Sequence, residues 1–190
     1  MLHPIVVPTI AVLLYFTLVP NGLNSKQRLI VLGLIFITTY IIPLTILFLF
    51  KRLKLIKSFK ADTIRERKIP IALMIVLFYL LGNTIKEINN LKDISLLFYA
   101  TTLGLLCIYI LFSLKLKTSI HLLSLGVTTG FFFVLHEIYS TNFIFVIIST
   151  LILSGILASA RLHLKAHKQT EVYLGFIVGF VSPIIVFLFL

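Results

Sequence analysis

Charge is what this sequence has least of. Asp, Glu, Lys and Arg make up 12% of its residues, where soluble domains carry roughly 25%. With 59% hydrophobic residues and a mean hydropathy of +1.13, that shortage argues against a water-soluble fold. Cysteine is nearly absent as well. The single one, Cys107, lies in an apolar run, so it can close no internal disulfide and says nothing about redox compartment. Acidic residues are few, six against 17 basic ones, for a net charge of +11. In a soluble protein that excess would suggest nucleic acid, because clustered cations release counterions from a phosphate backbone. Here the cations flank apolar runs, so topology signalling and attraction to anionic headgroups account for most of them, and no nucleic-acid partner is expected. No repeat of fixed period and no low-complexity linker interrupts the chain. Its first segment, Met1 to Pro20, has neither the basic start nor the small-residue cleavage site of a secretory signal and reads as a retained span.

What the sequence does have is a series of apolar runs near the 20 residues that a helix needs to cross the hydrocarbon layer. Runs and breakers together predict spans at about 4–20, 29–50, 70–88, 94–114, 119–138, 142–160 and 172–190. The third is the weakest, since its clean apolar part, Pro70 to Leu81, is short unless it continues to Ile88, and Pro70 suits a first helical turn. The expectation is an all-α polytopic transmembrane bundle of six to seven spans. It forms one membrane-embedded domain over residues 1–190, with no stretch left for a second, soluble one.

Polar segments follow the second, fourth and sixth spans, at 51–69, 115–119 and 161–171, so alternate crossings bring all three to one face. That face holds thirteen of the 17 Lys and Arg residues. Counted by the positive-inside rule it is cytoplasmic, and setting aside the three cations assigned below to a site leaves ten against four.

Two of these segments carry candidate chemistry. In Thr118-Ser119-Ile120-His121, at the entry to an apolar helix, Thr118 or Ser119 is a natural N-cap, and the free amides beyond it suit a phosphate oxygen. His121 would point from the first turn toward the same place. In the stretch from Arg161 to Glu171, a helix running from His167 puts Glu171 four residues on, where its carboxylate can hold one ring nitrogen and leave the other basic. The bland readings are a capped helix with an interfacial histidine and an ordinary exposed polar pair. His163 and His167 share the spacing of helical metal ligands, but no further ligand set accompanies them, and neither a metal nor a cofactor is expected. His136 and Glu137 lie about four turns from His121, near the other end of its helix, and cannot join it. The basic run Lys51, Arg52, Lys54 and Lys57 reads as a solvated anchor to headgroups.

Read in order, the three segments resemble the signature of the phosphatidic acid phosphatase type 2 family of membrane lipid phosphatases. Lys60 is followed after six residues by Arg67, with Pro70 three places later instead of immediately. Ser119 and His121 match the second element, with Thr118 and Ile120 in place of its proline and glycine. Arg161, His167 and Glu171 match the third at its spacing, with Glu for Asp and Ser159 displaced one place by Ala160. The resemblance covers roughly Lys60 to Glu171.

That resemblance implies a metal-independent hydrolase. His167 would attack phosphorus and carry a phosphohistidine, Glu171 would orient it, and His121 would protonate the departing lipid oxygen. Lys60, Arg67, Ser119 and Arg161 would bind the phosphate. The implied partners are a lipid phosphate substrate and the bilayer of a bacterial inner membrane, with the oligomeric state open. Bacterial members of that family commonly work on the periplasmic face, whereas the charge count favours the cytoplasmic one, so sidedness stays open. Two rivals also remain: a non-enzymatic lipid transporter or flippase, and a degenerate lipid-binding member of the family.

Overall fold

The computed structural model describes residues 6–54, 63–88 and 90–189, apart from the Arg65 side chain. Helices, and among the described residues no strand, build the fold. They are α1 (Val7–Leu18), α2 (Ser25–Arg52), α3 (Ile64–Lys86), α4 (Lys92–Ser113), α5 (Ile120–Tyr139), α6 (Ile144–His163) and α7 (Gln169–Phe189). The last six are long and apolar enough to cross a membrane, which makes this a multi-pass membrane protein. The expected seventh crossing is corrected: α1 has 12 residues, about 18 Å at 1.5 Å per residue, against a hydrocarbon core of about 30 Å.

The weak third span is a full helix, and its start differs from the sequence expectation. Thr63 and Glu66 form a capping box, Glu66 N–H donating to Thr63 Oγ1 at 3.3 Å and Thr63 N–H to a Glu66 carboxylate oxygen at 3.5 Å. The helix therefore begins at Ile64 and runs through Pro70 as an interior residue. A reciprocal box at Asn24 and Gln27 starts α2. Within α2, residues Ile37–Ile41 form a π-helical turn. Pro43 follows it and has no N–H to give the carbonyl of Thr39, so the widened turn sits where an α-helical hydrogen bond is impossible. Before the turn α2 packs on α1 and buries Val31 and Ile35; after it, Pro43 is buried and the helix meets α3.

Helix α5 is the most enclosed of the spans and packs most extensively on α7, with α4 closing the other side. Phe131 and Phe132 of α5, Phe98 of α4 and Tyr15 of α1 lie at its centre, each at most 1% exposed. Helix α6 is largely exposed on its outer side. The cation-rich ends share a mechanism of termination: Lys54, Lys115 and Lys165, just past α2, α4 and α6, each adopt positive φ, the left-handed stop usually given to glycine. At the opposite end Tyr15 and Tyr139 both donate to Asp93 Oδ2, the first at 3.1 Å, joining α1, α5 and the start of α4.

Candidate functional site

The site is positioned by two pairs of glycines that the sequence reading did not single out. Gly126 and Gly130 on α5 face Gly175 and Gly179 on α7, each pair spaced by four. A Cβ on Gly126 would lie 2.4 Å from the Phe176 carbonyl oxygen, one on Gly130 2.3 Å from that of Phe180, and one on Gly179 2.3 Å from that of Leu123. The two backbones therefore touch, a packing typical of small residues in membrane helices. At the cation-rich end a Cβ on Gly175 would meet the Ser119 carbonyl at 2.5 Å, and Ser119 N–H donates to the Glu171 carbonyl at 3.0 Å. The second and third sequence elements are thus one structural unit.

His167 does not lie in a helix, contrary to the expectation; it precedes α7, whose first residue is Gln169. The predicted pair forms all the same. His167 Nδ1 lies 2.7 Å from Glu171 Oε2, and the His167 side chain is 4% exposed. With Nδ1 donating to the carboxylate, Nε2 carries the lone pair. Burial holds the imidazole below its ordinary titration range; Glu171 pushes it back up, while the positive charges of Arg67 and Lys117 push it down. Arg67, in the first turn of α3, and Lys117 are thus close enough for their charges to act on His167. Lys117 Nζ also donates to the Ala166 carbonyl at 3.4 Å. Sequence reading counted Lys117 only as a loop cation, although it stands two residues before Ser119.

His121 and Arg161 meet directly. Arg161 Nη2 is 2.6 Å from Nδ1 of His121 and also contacts its Nε2. A guanidinium can only donate, so the ring accepts. Ser119 takes the N-cap position of α5, yet its hydroxyl makes no capping hydrogen bond. Ser119 Oγ and Thr118 Oγ1 belong to fully buried residues, and with Arg161 Nε they have no hydrogen-bond partner among the described residues. The expected side-chain cap is corrected: the segment turns toward α7 through its backbone and leaves both hydroxyls over. Lys60 lies outside the described residues.

His163 ends α6 and is exposed, and among the described residues no group of three His, Cys, Asp or Glu side chains could hold a metal ion. His136 accepts or donates at the far end, with Nδ1 2.6 Å from the Thr141 carbonyl. The cation-rich end thus carries an oriented imidazole at His167, a second imidazole against a guanidinium at His121 and Arg161, and the buried hydroxyls of Thr118 and Ser119. Comparison of the chain with protein-family models, curated proteins and solved structures gives no significant match.

Proposed function

We propose that the chain is an integral-membrane lipid phosphatase, hydrolysing a lipid phosphomonoester or pyrophosphate through a phosphohistidine. One observation carries this reading: among the described residues the buried Thr118 Oγ1 and Ser119 Oγ, at the start of α5, and Arg161 Nε, in the last turn of α6, have no hydrogen-bond partner. Leaving a buried donor unsatisfied costs about 1–3 kcal/mol. A phosphoryl group supplies the acceptors, and the N-terminal end of α5 favours its charge.

In this reading Nε2 of His167 attacks phosphorus as the bond to the lipid oxygen breaks, with Glu171 holding Nδ1–H. His121 gives that oxygen its proton, for which Arg161 must leave the ring and turn its fork to the phosphate. Water then attacks the phosphohistidine, His121 takes up the proton, and inorganic phosphate leaves with His167 restored. Arg67, Arg161, Ser119 and Lys60 stabilise charge on the equatorial oxygens, the main demand of phosphoryl transfer. Lys117 joins them by its place beside His167. The lipid reaches the site sideways, at headgroup level in a bacterial inner membrane.

The test is phosphate release by detergent-solubilised protein, in chelator, from a lipid phosphomonoester and an isoprenyl pyrophosphate. His167→Ala abolishes release, and His121→Ala lowers it by about 10²–10⁴, the usual share of a general acid. Turnover that stops in chelator, or persists in His167→Ala, overturns the proposal. A transporter would tolerate His167→Ala and lose lipid binding when Arg67 or Arg161 is neutralised.

A further inference from the structure

A cleft of about 490 Å³ runs along α1, α5 and α6. One end is formed by His121 and Ala160, the residue before Arg161; the other reaches Phe145, near the start of α6. Its walls are apolar, with Val7, Ile10 and Leu14 on one side and Leu153 and Leu157 on the other. Four hydroxyls also line it, and each has a carbonyl of its own helix as acceptor: Ser124 on His121, Thr128 on Ser124, Ser149 on Phe145 and Thr150 on Ile147, at 2.7–3.0 Å. No wall donor is left to select a polar ligand. Polar selection sits only at the His121 end, where Arg161 brings positive charge.

We propose that this cleft holds one hydrocarbon chain of a lipid whose phosphate lies at His121 and Arg161. This rests on reading that cluster as a phosphate site. The occupant follows from the combination of an apolar trough open to the bilayer and a cationic end at headgroup depth. The short helix α1, which spans nothing by itself, then serves as one wall of the trough, and the substrate enters from the α1 and α6 side.

The experiment uses the full chain in phosphatidylcholine vesicles with two photoreactive lipids, each bearing a mid-chain diazirine. One has a phosphomonoester head and the other a phosphocholine head. Cross-links are mapped by peptide mass spectrometry. The phosphomonoester probe is expected to label Thr128, Ser149 and Leu153 about tenfold more than the phosphocholine probe, the discrimination of one charge-assisted hydrogen bond. Ser149→Phe, which fills the trough from an exposed position, removes that labelling and leaves labelling of exposed Leu29 and Tyr79 unchanged. Arg161→Gln leaves trough labelling but abolishes its headgroup preference. Equal trough labelling by both probes, or labelling indifferent to Ser149→Phe, overturns the proposal, because the cleft then holds only boundary lipid. Phosphate release is measured in parallel. Selective labelling without turnover defeats the catalytic reading and leaves the trough standing; turnover without selective labelling does the reverse.

Discussion

Nδ1 of His167 and Oε2 of Glu171 stand 2.7 Å apart across the entry to α7, four residues apart in sequence but not on one helix. The carboxylate fixes which ring nitrogen carries the proton. Because burial outweighs the carboxylate, the folded ring titrates below its unfolded value of about 6.5. The neutral, nucleophilic form is therefore retained into mildly acidic solution. The acid limb of kcat/KM is expected below pH 6.5, lower still in Glu171→Gln, and higher in Lys117→Gln, since those charges act in opposite directions. The stability contribution has the same sign: it is complete above the unfolded value and lost as pH falls toward the folded one. A pH–rate profile whose limb rises in Glu171→Gln contradicts this electrostatic assignment.

Arg161 has two duties in the proposed reaction, since its Nη2 contacts His121 while its Nε is left over for a ligand. Lysine keeps the charge and loses the planar fork. Arg161→Lys is expected to lower kcat/KM by about 10², at the lower end for loss of one preorganised donor to a transition-state oxygen. Full activity in that variant would remove the bidentate role.

The glycine seam predicts a contrast among conservative changes. Gly130→Ala and Gly179→Ala drive a methyl to within 2.3 Å of a backbone oxygen and should cost about 1–3 kcal/mol, the usual penalty for overpacking. Gly155→Ala, with nothing within 4 Å of the added atom, should be neutral or slightly stabilising. Thermal unfolding in detergent reads the difference, and three equal melting temperatures would mean that α5 and α7 are not in this register.

At the opposite end, Asp93 accepts from both Tyr15 and Tyr139. Asp93→Ala removes the carboxylate that accepts from Tyr15, a residue only 1% exposed, and should destabilise by about 1–3 kcal/mol. Tyr139→Phe should cost less, because Tyr139 lies at the surface. The same unfolding assay tests the order of the two effects.

Apolar length made the long spans legible, since six helices require about 20 apolar residues each and little else does. Their ends were harder to place. Pro70 looked like a helix start because proline favours first turns, but Thr63 and Glu66 form a reciprocal cap seven residues earlier. The His167 and Glu171 pair was readable from spacing, though for a reason that does not hold, since the turn before α7 rather than a helix brings them together. The unused hydroxyls of Thr118 and Ser119 could not be read, because a serine before an apolar helix ordinarily caps it. Here the backbone of Ser119 is tied to Glu171 instead. The glycine seam was visible as paired small residues, but only the partner helix gives those spacings meaning.

The widened turn at Ile37–Ile41 inserts one residue into an otherwise continuous helix. Each residue advances an α-helix by about 100°, so everything from Ile42 to Arg52 is rotated by that much from the heading a regular helix would have taken. Forcing the same residues into a regular helix would swing the buried side of Pro43 out toward lipid, whereas deleting one residue of the turn would close it and leave that side facing inward. The orientation of that half of α2 is therefore set by the residue count and the width of the turn together, the extra residue and the wider turn offsetting each other.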